Sequence, residues 1–313
     1  MPPREPSPAT LASPWRRYVL ATRPAFLSVA VVAALLGSAY TPYSGGSIHL
    51  LLAVAVLAGA VLVQAGINVL NDYYDALNGT DANNVERLYP FTGGSRFIQN
   101  GIFTARQTRR YGVSLLAAAM ILGAFLCARS GWSLALLGAA GIFVGWAYSA
   151  PPCRLNSRGL GEVCVALGFG VLIPLGADLV QQQELHGQLV LMASPFALLV
   201  TNILYINQFP DHRADAAAGK HHWVVRLGPR RARWVYLAGA TAALGLACLL
   251  VLSGRLPTSG WIAVVPILGA LWAAALLLRD WQYPHRLMTA IKLTIFAALA
   301  HGITLAAVLA LGP

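Results

Sequence analysis

Apolar runs, each close to a membrane-spanning length and separated by short polar loops, follow one another from Phe26 to the C-terminus. A helix needs roughly 20 such residues to cross the hydrocarbon of a bilayer. The pattern predicts nine spans, at roughly 25–41, 48–70, 111–129, 132–150, 160–180, 188–209, 234–253, 258–278 and 288–311. Composition agrees. Hydrophobic residues make up 57% of the 313-residue chain and charged residues 11%, against about 45–50% and about 25% in a soluble domain. So few charges cannot cover a water-facing surface, which excludes a soluble enzyme, a disordered chain and a secreted disulfide scaffold. The expected fold class is all-α, a polytopic membrane helical bundle.

The net charge of +11 suggests nucleic acid only until the charges are placed. With the N-terminus cytoplasmic, all but Arg129 and Arg255 of the 22 lysines and arginines fall on the cytoplasmic side. That asymmetry is the positive-inside rule, so the basic excess reports topology and no nucleic-acid partner is expected. The expected location is the cell inner (plasma) membrane, with the N-terminus and the loops after even-numbered spans cytoplasmic. Residues 1–24, rich in proline and polar residues, are expected to be a disordered cytoplasmic tail, and 25–313 one transmembrane domain. The four cysteines (Cys127, Cys153, Cys164, Cys248) form no paired motif and read as packing residues.

Chemistry is concentrated in the acids. Of the 11 acidic residues only Asp178 and Glu184 fall on the outer side, and two clusters lie at cytoplasmic span ends. The first runs from Asn68 through Asp72 and Asp75 to Asp81, at the end of span 2. The second runs from Asn207 through Asp211 and Asp215 to Lys220, at the end of span 6. Asn68–Asp72 and Asp211–Asp215 are i,i+4 pairs and Asp72–Asp75 is i,i+3, so each set shares a helix face. Like charges so placed repel and need a cation. The two clusters stand at corresponding helix ends, as in a weak internal repeat meeting around one site. Hard oxygen ligands in this number suit Mg²⁺, and the neighbouring Arg154, Arg158, Arg213, Lys220 and Arg226 suit a diphosphate bridging metal and protein. The plainer alternative is that acids and bases simply pair at the headgroup level.

These residues resemble the UbiA superfamily of intramembrane prenyltransferases, and within it the 1,4-dihydroxy-2-naphthoate polyprenyltransferase branch of menaquinone synthesis. The carriers are N-D-Y-x-D-x-x-x-G-x-D at Asn71 to Asp81 and N-Q-F-P-D-x-x-A-D-x-x-x-G-K-x-x-x-V-V-R-L-G at Asn207 to Gly228. The Thr92-Gly-Gly-Ser95 loop, Tyr148-Ser-Ala-Pro-Pro-Cys-Arg154 and Arg158-Gly-Leu-Gly-Glu162 are also similar to family patterns. The resemblance implies helices around a central cavity, Mg²⁺ as cofactor, and prenyl diphosphate and an aromatic acceptor as substrates. It implies that Asn68, Asp72, Asp75, Asp211 and Asp215 hold Mg²⁺, with Asp81 a further candidate. It also implies that Lys220 and Arg226 hold the diphosphate, and that Tyr148 lies near the allylic carbon. Some family members carry a lysine shortly after that tyrosine; Pro151 and Pro152 stand there in this chain, and Arg154 is the cation offered instead.

Three readings stay open at this point. Other acceptors, such as 4-hydroxybenzoate, homogentisate, chlorophyllide or haem, would use the same machinery. Intramembrane acids and an internal repeat also mark ion-coupled transporters, although here the acids lie at one membrane face and beside cations suited to a polyphosphate. A non-catalytic prenyl-lipid binding protein would share the cavity without needing the acids. The sequence does not fix prenyl chain length or oligomeric state.

Overall fold

The structure, a computed structural model, describes residues 5–312. Among them there is no strand, and nine helices are long and apolar enough to cross a membrane. After a short α1 (Pro14–Ala21) come α2 (Pro24–Tyr43), α3 (Leu50–Leu77), α4 (Ala105–Ser130), α5 (Trp132–Ser149) and α6 (Gly161–Gln182). Then follow α7 (Gly187–Ala217), α8 (Pro229–Leu252), α9 (Thr258–Asp280) and α10 (Met288–Leu311).

Each expected span has its helix, but α3 and α7 run on past their apolar stretches to Leu77 and Ala217. The acids at those ends would repel along the helix face; buried cations offset them, and the helices continue. Capping punctuates the chain as physical chemistry requires. Thr104 and Gln107 form a reciprocal capping box that starts α4, and Pro229 opens α8 at the position where its missing N–H costs nothing. Pro266 divides α9 and Pro174 follows a π-type turn at Gly168–Leu172, whereas Pro195 and Pro210 lie within an unbroken α7.

The two halves of the bundle pack differently. α2, α7, α8, α9 and α10 enclose one continuous core, from Leu36, Phe196 and Ile206 to Tyr236, Ile267 and Leu277. Alanines recur through it (Ala240, Ala243, Ala270, Ala273, Ala297) and let the helix backbones approach closely. α3, α4 and α5 bury little of themselves; α5 has only Ala147 and Ser149 buried. They form the wall of a cavity instead.

The disordered tail expected over 1–24 is corrected in its described part. Leu11 and Ala21 bury against Phe97, Ile102 and Phe103, Glu5 pairs with Arg87 at 2.7 Å, and residues 14–21 are helical. Residues 1–4 lie outside the described residues.

Candidate active site

α3 and α7 end side by side, and Lys220, in the turn after α7, lies between their acids. Its Nζ is 3.0 Å from Asp75 Oδ1 and 3.2 Å from Asp215 Oδ1. All three side chains are buried. Burial opposes the charge on Lys220, but Asp75 and Asp215, with Asp81 behind them, outweigh it and hold the ammonium pKa above its ordinary value. His222, also buried, meets the other oxygen of Asp215 at 3.0 Å. Asn71 donates to Asp75 Oδ2 at 3.2 Å and to Ser149 Oγ at 2.9 Å, tying the end of α5 to the end of α3.

The glycine loop spans the two acid helices. The backbone N–H of Gly93 donates to Asp211 Oδ2 at 3.2 Å, and that of Ser95 to Asp72 at 3.3 Å. Asn84 donates to the other oxygen of Asp211 at 2.6 Å. Gly94 between them has φ +73°, and a Cβ there would lie 2.6 Å from Asp81 Oδ2 and 3.0 Å from Asp72 Oδ1. The position therefore demands glycine for its backbone and for its neighbours. Gly94→Ala is expected to cost about 1–3 kcal/mol of stability through a strained backbone and displaced carboxylates, with turnover falling alongside. A thermal melt and a kcat both equal to wild type would contradict the role of this loop.

Below the acids opens a cavity of about 1160 Å³. Its lining on α3 extends from Asp75 to Val56, about 28 Å at 1.5 Å per residue, close to the hydrocarbon thickness of a bilayer. The polar end is lined by Arg23, Asn68, Asn71, Asp75, Asp81, Asn207, Gln208, Asp211, Asp215 and Lys220, with Tyr148 beside them; most of the other lining residues are apolar. Gly123, Gly138, Gly141 and Gly168 face it, and a Cβ at any of them would meet open space.

The structure thus brings Asp75, Asp211, Asp215, Lys220 and Tyr148 to one cavity, as the sequence suggests. It departs from expectation at five residues. Asp72 does not line the cavity, because its carboxylate is turned to the Ser95 N–H and to Arg23, 3.9 Å away. Asn68 lines it with both amide ends engaged, donating to Thr22 O and accepting from Gln64. Arg154, Arg158 and Arg226 are exposed and line no part of it. Arg226 donates to the carbonyls of His221 (2.5 Å) and Arg158 (2.7 Å), and Arg158 donates to Pro152 O at 2.8 Å. Arg158 and Arg226 thus staple surface loops to one another.

Two residues escaped the sequence reading. His222 is buried against Asp215. Arg23 lines the cavity, reaches Asn71 Oδ1 at 3.5 Å and approaches Asp72 from a left-handed backbone (φ 58°). Such a conformation in a non-glycine residue costs free energy that the surroundings must offset, and it concentrates at functional sites.

Among the described residues, no three His, Cys, Asp or Glu side chains stand close enough to enclose a metal by themselves. The donor chemistry nevertheless fits Mg²⁺. The carboxylate and amide donors are oxygens, and Asp81 Oδ2, Asn84 Oδ1 and Asn207 Oδ1 are buried without a hydrogen-bond partner, as is the imidazole nitrogen His222 Nδ1. Burial and the adjoining Asp75 and Asp72 carboxylates push Asp81 well above the usual carboxylate range, a state that a divalent cation would relieve. Mg²⁺ characteristically takes one or two carboxylates and completes its shell with water and phosphate, so separated carboxylates around one polar pocket suit it.

Comparison with known proteins gives the same direction. The sequence model of the UbiA prenyltransferase family matches residues 26–299. The 1,4-dihydroxy-2-naphthoate octaprenyltransferase of Bacillus subtilis is 27% identical over 244 residues, 78% of this chain and 76% of its own. The 2-carboxy-1,4-naphthoquinone phytyltransferase of Synechocystis is 27% identical over 279 residues, 88% and 86% of the two chains. Among solved structures, a UbiA homolog from Archaeoglobus fulgidus bound to DMAPP and Mg²⁺ shares the fold. Its TM-score is 0.67 at 18% identity, over 93% of this chain and 99% of that one.

Proposed function

The chain belongs to the UbiA prenyltransferase family and is a prenyl-transferring membrane enzyme; we propose that it transfers a polyprenyl group from prenyl diphosphate to 1,4-dihydroxy-2-naphthoate in menaquinone synthesis. One observation carries the reading. Two acid-bearing helix ends meet around a buried lysine, above an apolar cavity as long as a bilayer is thick. A diphosphate would lie at the polar end and its prenyl chain along α3. The naphthoate acceptor is favoured by the N-Q-F-P-D segment, the Thr92–Ser95 loop and the relatives named for naphthoate-derived acceptors. An ion-coupled carrier is disfavoured because the acids stand at one end of the bundle, not at its middle. By the positive-inside rule that end faces the cytoplasm of the inner membrane.

Asp75, Asp211, Asp215 and the unpartnered oxygens of Asp81 and Asn84 would hold Mg²⁺; Asp72 and Asn68 would brace them through Ser95, Arg23 and Gln64. When bound, Mg²⁺ supplies positive charge against the oxygens of the departing diphosphate. Lys220 and Arg23 add fixed charge at the same place, where an enclosed site makes it count for more than in water. The allylic C–O bond breaks with its electron pair leaving on the diphosphate. The Tyr148 ring offers its π face to the carbocation character that develops, and the apolar wall keeps water from capturing it. A carbon–carbon bond then forms at an electron-rich ring carbon of the acceptor, which loses its carboxyl group as CO₂.

The acceptor is tested by incubating membranes that contain the protein with labelled prenyl diphosphate and Mg²⁺, against dihydroxynaphthoate and 4-hydroxybenzoate in parallel. Labelled product from the naphthoate alone is expected. Product from the benzoate alone would keep the reaction and reject the acceptor.

A further inference from the structure

We propose that Gln208, fixed in one orientation by Glu162, is the hydrogen-bond acceptor that selects a hydroxylated aromatic ring as the group to be prenylated. This deepens the reading above and rests on it. α7 lines the cavity with Leu204, Asn207, Gln208, Asp211 and Asp215, a single face at helical spacing. Gln208 is three residues before Asp211, about 4.5 Å deeper along the axis. That is one turn below the polar end, where a ring stacked under a diphosphate would meet it.

The orientation of the amide is determined. Gln208 Nε2 donates to Glu162 Oε1 at 2.8 Å, an amide N–H meeting a carboxyl oxygen that accepts. The nitrogen must therefore face Glu162, which leaves Oε1 of Gln208 as a buried acceptor without a partner. Asn207 Oδ1 and Glu162 Oε2 are in the same condition. Gln208 and Glu162 are 8% and 9% exposed, so water does not satisfy them cheaply, and unpartnered buried acceptors are rare enough to need a cause. The patch also adjoins Tyr148: a Cβ on Gly161, next to Glu162, would touch the Tyr148 ring at 3.4 Å and Leu204 at 3.5 Å.

A cluster of acceptors beside the reactive aromatic face calls for a ligand that donates. The cations lining the cavity, Lys220 and Arg23, are engaged with carboxylates one turn higher. A carboxylate on the acceptor would meet only lone pairs at Gln208; a phenolic O–H would meet a partner. The ring class that fits is a hydroxylated arene of the hydroquinone type, with one O–H on Gln208 Oε1 and a second within reach of Asn207. Glu162 is a positioning residue, since it acts through Gln208.

The test is steady-state kinetics on full-length protein with dihydroxynaphthoate and with its mono-O-methyl ethers, for wild type, Gln208→Leu and Glu162→Gln. For Gln208→Leu the acceptor KM is expected to rise about ten- to a hundredfold, the range for an unmet buried hydrogen bond. The KM for prenyl diphosphate should stay at its wild-type value, while the thermal unfolding midpoint falls because Glu162 loses its donor. Methylating the hydroxyl that Gln208 accepts should penalise wild type similarly and add little to the variant, as coupled partners do in a double-mutant cycle. Glu162→Gln, which frees the amide to turn, should lie between the two. An unchanged acceptor KM in Gln208→Leu overturns the proposal, and so does an equal rise in the KM values for acceptor and prenyl diphosphate. Wild-type protein that turns over no hydroxylated arene would instead reject the functional reading itself, and this inference with it.

Discussion

Replacing Lys220 by methionine is expected to abolish turnover and to destabilise the protein by about 3–5 kcal/mol, because a buried ion pair that loses one partner leaves an uncompensated charge. The lysine is buried and its ammonium lies within 3.2 Å of both Asp75 and Asp215, so its removal leaves two carboxylates facing each other at the ends of α3 and α7. The measurement is a thermal melt in detergent beside a turnover assay. Millimolar Mg²⁺ should recover part of the lost melting temperature in Lys220→Met, because the same acids would then share a different cation. A variant that melts and turns over like wild type would remove Lys220 from the account.

Asp211→Asn is the second large effect, and it separates chemistry from folding. Asp211 lines the cavity and accepts from Asn84 at 2.6 Å and from the Gly93 N–H at 3.2 Å. An amide of the same shape keeps an oxygen for one donor and gives up the charge. The melt should therefore change little, while kcat is expected to fall at least about 10²–10³-fold, the loss seen when one preorganised stabiliser of transition-state charge is removed. A non-catalytic prenyl-lipid binder would tolerate this change. Full activity in Asp211→Asn, with Asp75→Asn behaving likewise, would contradict the assignment of a metal and diphosphate site to these helix ends.

What the sequence makes legible follows the strength of each physical signal. The nine spans are legible because a bilayer imposes length and apolarity together. The pairing of the two acid clusters is legible because acids are scarce in this chain and share a helix face at each end. Which cation meets which acid is not, since that depends on how a loop turns. Lys220 follows Asp215 by five residues and folds back onto it. Arg226, six residues further, points outward and staples His221 to Arg158. Arg23 precedes the first span and reads as an interfacial charge. Only its left-handed backbone before Pro24 directs it to Asn71 and Asp72. Asp72 is the matching case among the acids. Its spacing puts it with Asp75, but the Ser95 N–H, from a loop more than 20 residues later, draws its carboxylate away from the cavity. Glu162 shows the same limit, since no spacing rule connects it to Gln208, 46 residues further along. α1 lies in a segment whose proline content suggests disorder, although Leu11 and Ala21 find an apolar partner in Phe97 and Phe103.

The two acid-bearing helix ends are proposed to form one Mg²⁺-dependent site for breaking an allylic diphosphate. The most direct measurement follows labelled prenyl diphosphate and dihydroxynaphthoate in purified membranes, first with Mg²⁺, then after chelation with EDTA, then with Mg²⁺ restored. Prenylated product is expected with Mg²⁺, none after chelation, and recovery on restoration, with Asp211→Asn inactive throughout. Equal product formation with and without the metal, or a fully active Asp211→Asn, would contradict it.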